Sequence, residues 1–379
     1  MIYLDYNATT PLDPAVTDAM QPFLEPGVEE QAFGNPSSSH EYGEAPREAV
    51  RVARGRVAEL IGAKTDEIVF TSGGSESNNT ALKGVAKAAQ PDRKHIITTV
   101  IEHPAVLEPC RYLESQGYEV SYLPVDGNAR LDPAEVRKAL RPDTLLVSVM
   151  HSNNEVGTLQ PIGDIAEVAA ENGTLVHTDA SQSVGKVPLD VDELGVDFLT
   201  VAGHKLYAPK GIGALYVRDS SSVEPLIHGA GQEGGLRAGT ESVPLAVGLG
   251  KACEVADPEV ESTHLRELRD KLWTRLDEGL GEDVVLNGHS TKRLPNTLNV
   301  SFVGREADSI LDRSSAVAAS TGSACHSDRV ELSPVLEAMG IDPEVGKGAI
   351  RLSTGRFTEE DDLRRAAEVL LRSVKKDSP

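Results

Sequence analysis

Between Ile68 and Val217 the chain repeats one pattern: a short apolar run, a polar end, and a helical segment leading to the next run. The runs are Ile68–Thr71, His95–Val100, Val120–Leu123, Leu145–Met150, Leu175–Thr178, Asp197–Val201 and Gly213–Val217. Runs of this length, bounded by glycine and polar residues, predict buried strands. Their alternation with helices predicts an α/β fold with a mostly parallel seven-stranded sheet, covered by helices on both faces. Ligands of such a sheet bind outside the carboxyl ends of its strands.

Four of the runs end in residues that carry chemistry. They lead into Glu102-His103, His151-Ser-Asn-Asn154, Asp179-Ala-Ser-Gln182 and His204-Lys205. A lysine delivered to a cleft by a buried strand is desolvated; its pKa falls and it can form a Schiff base. Taken alone, Lys205 reads more readily as a surface lysine, and each histidine as a structural one. Ile68–Thr71 runs into Ser72-Gly-Gly-Ser-Glu-Ser-Asn-Asn79, with a helix predicted from Thr80 to Ala89. Small residues before a helix N-terminus make an anion site, here the Gly74 and Ser75 amides with the Ser75 hydroxyl holding a phosphate. The glycine spacing of dinucleotide sites is absent, so nicotinamide binding is unsupported.

A phosphate cradle, a Schiff-base lysine and a carboxylate at Asp179 for a pyridinium nitrogen are what pyridoxal 5'-phosphate requires. His103 is then placed to lie against the ring, and Asn154 and Gln182 to hydrogen-bond its oxygen.

At 379 residues the chain has room for about two domains. The pattern changes after Cys253, and acidic Asp257-Pro-Glu-Val-Glu261 reads as a boundary before a long helix over His264–Leu280. The expected division is a large cofactor domain over 13–256 and a smaller α+β domain over 257–379. Pattern alone leaves open whether residues 1–12 join the smaller one. The formal charge of −22 argues against nucleic acid or an anionic membrane as partner, and a salt-adapted source is compatible with it. The three cysteines are Cys110, Cys253 and Cys325, too few for a disulfide framework. With neither an export signal nor an 18-residue apolar stretch, a reducing, cytoplasmic setting is expected.

The motifs also occur in order along a known family. They are Tyr3-Leu-Asp-Tyr-Asn-Ala-Thr-Thr10, Phe33-Gly-Asn-Pro-Ser-Ser38, Ser72–Asn79, Glu102-His103, Asn153-Asn-Glu155, His177-Thr-Asp-Ala-Ser-Gln182, Gly203-His-Lys205, Pro209-Lys-Gly211, Arg237-Ala-Gly-Thr240, Thr321-Gly-Ser-Ala-Cys325 and Arg351-Leu-Ser-Thr-Gly-Arg356. The chain thus resembles the pyridoxal-phosphate cysteine desulfurases of the NifS/IscS type, and the related selenocysteine lyases, over nearly its whole length. The resemblance implies the fold-type I transferase architecture and a homodimer. It gives Lys205 the cofactor's Schiff base, Asp179 the ring nitrogen, and His103 the ring face. Asn154 and Gln182 would hold ring substituents; Gly74, Ser75 and His204 the phosphate, helped by Thr240 of the partner subunit; and Arg351 the substrate carboxylate. Where the commoner desulfurase pattern has a serine two residues before His204, this chain has Ala202, which removes one phosphate hydrogen bond.

Cys325 is the second chemical centre expected. Its surroundings, Ser320-Thr-Gly-Ser-Ala-Cys-His-Ser-Asp328, read as a small, polar, flexible loop, whereas Cys110 and Cys253 lie in apolar-patterned helices and are expected to pack quietly. No zinc site is expected around Cys325, His326 and Asp328, because a second ligand pair is missing. The implied reaction converts L-cysteine to L-alanine, leaves a persulfide on Cys325 and passes the sulfur to an acceptor protein or thiol. Iron–sulfur clusters and thiolation pathways are candidate destinations. The rival readings are a selenocysteine lyase, which Ala202, Ala324-Cys-His-Ser-Asp328 and Gly239-Thr-Glu241 resemble, whereas Glu102-His-Pro-Ala-Val-Leu-Glu-Pro-Cys110 resembles the desulfurase branch; another reaction on the same fold, such as amino transfer; and a non-catalytic sulfur-transfer scaffold.

Overall fold

All seven apolar runs become strands of one sheet. The structure is a computed structural model that describes residues 1–25, 32–219, 221–326 and 329–375, with the side chains of residues 323–331 outside the description. The strands are β1 (Ile68–Thr71), β2 (His95–Thr99), β3 (Glu119–Leu123), β4 (Thr144–Ser148), β5 (Leu175–Asp179), β6 (Phe198–Ala202) and β7 (Gly213–Val217). Their order across the sheet is β1-β7-β6-β5-β4-β2-β3. Strand β7 is antiparallel to both neighbours, and the other pairings are parallel.

Every residue of β2, β4, β6 and β7 is buried, which is why these runs show no alternation of apolar and charged residues; the polar His95, Thr98, Thr99, Thr144 and Ser148 within them are buried too. One face is covered by helices Pro14–Leu24, Glu44–Leu60, Ile162–Ala170 and Val243–Val255, which share a core with Val147, Leu199 and Ala214. The other carries helices Gly74–Ala88 and Pro104–Ser115, packed through Leu82, Val85, Val106 and Cys110 onto Ile96, Leu146 and Phe198.

A second, four-stranded sheet is antiparallel throughout, in the order Ser320–Thr321, Ala349–Ser353, Thr297–Phe302, Val284–Asn287. Helices Pro258–Leu280 and Glu360–Lys375 cover it, sharing a core that contains Leu272, Val300, Ile350 and Leu370. Residues Ile2 and Leu4 belong to the same core, and Ile2–Tyr3 pairs in parallel with Val317–Ala318. The amino terminus is therefore built into the smaller sheet's side of the molecule.

Three local expectations need correction. The helix placed at Thr80–Ala89 begins six residues earlier, at Gly74. Gly73 turns the chain out of β1 at φ 146° and ψ −178°, a conformation open to glycine, and the Ser77 hydroxyl already pairs with Thr71 Oγ1 at 2.8 Å. The helix placed at His264–Leu280 begins at Pro258. The acidic stretch is its first turn: Asp257 caps Val260 N–H at 3.1 Å, proline opens the helix, and Glu259 and Glu261 lie at its positive end. The segment around Cys325, expected as a loop, has an extended backbone; Ser323–His326 pairs antiparallel with Arg329–Leu332. Residue 328 lies outside the described residues, as does the Cys325 side chain.

Candidate active site

A cavity of about 400 Å³ opens at the carboxyl ends of β1, β4, β5 and β6. Gly74, Ser75, His103, Asn154, Asp179, Gln182, His204, Lys205 and Arg351, nine residues singled out from the sequence, all line it.

Lys205 follows β6 through the single turn Gly203–Lys205. Its Nζ donates to the carbonyl oxygens of Asn7 at 2.5 Å and Ala8 at 2.7 Å. Desolvation, with Arg351 adding repulsion against the pull of Asp5 and Asp179, lowers its pKa to about 8. An appreciable share of this lysine is therefore free amine near neutrality. Asp179, at the end of β5, is held by two donors: Asn78 Nδ2 reaches Oδ2 at 2.7 Å and Ser181 N–H reaches Oδ1 at 2.9 Å.

Gly74 and Ser75 occupy the first turn of their helix, where backbone N–H groups have no helical acceptor. A Cβ added at Gly74 would lie 3.0 Å from Ser181 Oγ and 3.4 Å from Ala202 Cβ, so larger residues would narrow the mouth of this cradle. Ala202 offers no hydrogen-bond donor from its side chain there. His204 Nδ1 lies 3.2 Å from Thr9 Oγ1, and burial together with Lys205, Lys210 and Lys186 lowers its pKa to about 4, so the ring is neutral.

The ring of His103 caps the following helix: its Nδ1 accepts from Ala105 N–H at 3.1 Å, which puts the proton of the neutral ring on Nε2. Desolvation lowers its pKa further, so neutral is its resting state. Before it, Glu102 is buried, accepts from Thr99 Oγ1 at 2.7 Å and Met150 N–H at 3.0 Å, and is pushed up to about 8 by burial. Gln182 donates from Nε2 to the Asn7 carbonyl at 2.9 Å. The Arg351 fork donates to Asn154 O at 2.9 Å, Asp5 Oδ1 at 2.8 Å and Ser320 Oγ at 3.0 Å. Asp5 thus already holds part of this guanidinium.

Thr240 is exposed and does not line the cavity, although Arg237, three residues before it, pairs with Glu76 in the helix Gly74–Ala88 at 3.0 Å. Cys110 and Cys253 are buried and unpaired by disulfide, and burial pushes both thiols up to about 12. The sequence reading missed Asn7, Ala8 and Asn78. Asn7 and Ala8 lie within a quoted motif, but only the folded chain brings them to a lysine 200 positions away; Asn78 sits one helical turn past Gly74, a spacing that a correct helix start would have revealed. Among the described residues no group of three or more His, Cys, Asp or Glu could hold a metal ion, and no helix is long and apolar enough to cross a membrane.

A lysine of lowered proton affinity sharing a cavity with an anchored carboxylate, with free helix amides beside them, fits pyridoxal phosphate at three separate points of its structure. The fold and this site define a pyridoxal-phosphate enzyme of fold type I. More narrowly, the chain belongs to the aminotransferase class-V family, whose model matches residues 2–365. It is 49% identical to a cysteine desulfurase IscS of Dictyoglomus turgidum, over 99% of this chain and 95% of that protein. Among solved structures, a NifS-like protein superposes with a TM-score of 0.91 at 37% identity, covering 99% of both chains. A structure described as SspA in complex with cysteine superposes with a TM-score of 0.82 at 39% identity, over 95% of this chain and all of that one.

Proposed function

We propose that the protein is a pyridoxal-phosphate-dependent cysteine desulfurase that converts L-cysteine to L-alanine and passes the sulfur, through Cys325, to an acceptor. The observation that carries the reading is the convergence of Lys205, Asp179, the Gly74–Ser75 amides and Arg351 on one cavity, in a chain whose relatives are cysteine desulfurases. When bound there, pyridoxal phosphate supplies an aldehyde for exchange with the substrate amine and a ring that accepts electrons. Lys205 would hold it, Gly74, Ser75 and His204 would receive its phosphate, and Asp179 its ring nitrogen.

The chain's own groups supply the rest. Arg351 would anchor the cysteine carboxylate through its guanidinium fork. Lys205, released by the incoming amine, sits with a pKa near neutrality and can take and return the proton at the substrate's α-carbon. The Cys325 thiolate attacks the substrate sulfur; the S–S bond of a persulfide forms as the substrate's C–S bond breaks, the electron pair of that bond stays with the β-carbon, which takes a proton in place of the one given up by the substrate thiol, and alanine leaves. Lys205→Ala should lose both the visible absorption of bound cofactor and turnover. Cys325→Ser should keep the absorption and bind cysteine yet form no persulfide; parental desulfuration by that variant would overturn the role of Cys325.

The selenocysteine reading draws on Ala202, which lines the cavity, and a competition assay of cysteine against selenocysteine decides it. We further propose a homodimer in which Thr240, exposed here, completes the partner's phosphate site; sedimentation of the purified protein as a monomer would remove that role. The cytoplasmic setting, supply of sulfur to iron–sulfur cluster assembly, and a division at residues 256–257 into two folding units belong to the same proposal. Limited proteolysis at that junction tests the last.

A further inference from the structure

Lys186 is a buried lysine with no part in the reaction as described. It is 3% exposed, on the turn that continues from β5. Its Nζ donates to the backbone oxygen of Gln182 at 2.9 Å and to the side-chain Oε1 of the same residue at 3.3 Å. The turn is pressed against the lysine stretch: Gly185 has φ 75°, and a Cβ added there would come within 2.0 Å of Leu206, the residue after Lys205.

These contacts decide which end of the Gln182 amide faces which way. Lys186 offers N–H donors, so the amide atom turned to it is the oxygen. From the other side the Asn7 carbonyl can only accept, and it takes Gln182 Nε2 at 2.9 Å while also taking Lys205 Nζ at 2.5 Å. The two constraints agree, and they leave the second N–H of the amide for the cavity that Gln182 lines. Without Lys186 only the single contact to the Asn7 carbonyl orients the amide, and its Oε1 has lost its donor.

We propose that Lys186 is a positioning residue that locks the Gln182 amide so that an N–H, and never the carbonyl oxygen, meets the ring oxygen of pyridoxal phosphate. This rests on the reading of the cavity as the cofactor site. Burial, the largest cause, lowers the pKa of Lys186 to about 7; repulsion from Lys205 and Arg351 adds to it, and the attraction of Glu261 opposes it. Ammonium and amine forms both retain the two N–H donors that the contacts use.

The test is a pH titration of the cofactor's visible band in the loaded protein, comparing the parent with Lys186→Met, Gln182→Ala and the double variant. An N–H on the ring oxygen weakens that oxygen's hold on the proton it shares with the Lys205 nitrogen, so losing the N–H raises the midpoint. Each single variant is expected to raise it by about one pH unit, the scale of one hydrogen bond to a charged group. The double variant should move no further than Gln182→Ala alone. An equal Lys186→Met shift in both backgrounds would mean that Lys186 acts by its charge on Lys205, and that or an unmoved midpoint in Lys186→Met overturns the proposal. If thermal unfolding shows Lys186→Met to be misfolded, Lys186→Gln, neutral but still a donor, replaces it and must keep the parental midpoint; a raised one overturns the proposal. A parent that develops no visible band with added pyridoxal phosphate defeats the cofactor reading itself, and the clamp with it.

Discussion

At the scale of single residues, the site depends on how far the fold moves proton affinities from their values in water. Lys205 and Glu102, a base and an acid of ordinarily very different strength, both stand at about 8, chiefly because burial penalises the charged form of each. For Lys205 the sign gives a kinetic expectation. Only the free amine attacks an aldehyde, so capture of pyridoxal phosphate by the cofactor-free protein should accelerate roughly tenfold per pH unit below about 8 and level off above it. Stopped-flow absorbance measures this; a plateau reached only near pH 10 would mean that Lys205 is not desolvated. The residues at the strand ends were legible in the sequence because a buried strand can place polar groups only where it leaves the core. Asn7 was not, since its carbonyl, which accepts from both Lys205 and Gln182, carries no side-chain signature.

At the scale of elements, helix termini account for most of what the sequence obscured. Asp257 was read as part of an acidic boundary because three acidic residues and a proline within five positions look like a linker. The same composition is what a helix start uses, and only the cap to Val260 distinguishes the two. Asp257→Ala is expected to cost about 1 kcal/mol of stability, read by urea denaturation. Strand direction was equally hidden: an apolar run does not say which way it points, so the reversal of β7 had no signal beyond the short connection from β6. A second expectation concerns Gly250, in the helix Val243–Val255, where an added Cβ would stand 2.5 Å from Ala53 Cα in the neighbouring helix. Gly250→Ala should therefore destabilise by roughly 1–3 kcal/mol through overpacking, although alanine is the better helix former. An unchanged denaturation midpoint would show that the two helices can separate.

At the scale of the whole molecule, a few side chains tie the smaller sheet's side to the larger. Arg356 pairs with Asp13 at 2.5 Å and with Glu261, lies over the Tyr207 ring at 4.5 Å, and its own N–H meets Tyr207 Oη at 2.6 Å. Arg356→Met leaves two largely buried carboxylates without their cation, a loss on the order of 3–5 kcal/mol, and differential scanning calorimetry should show it as a large fall in Tm. The net charge of −22 acts on every element at once. Raising NaCl from 0.1 to 1 M screens this self-repulsion more than it weakens the exposed ion pairs, so Tm should rise by roughly 2–5 °C; a fall would give the ion pairs the larger share. The pairing order of the sheet also sets a timetable for synthesis. Strand β1, which leads into the helix carrying Gly74 and Ser75, pairs among the described strands with β7 alone, and the amino-terminal segment that accepts from Lys205 is pinned by Val317–Ala318. A nascent chain still on the ribosome cannot complete this site until both partners have emerged, so cofactor loading has to wait for Val317–Ala318, and a product truncated before them would be released empty.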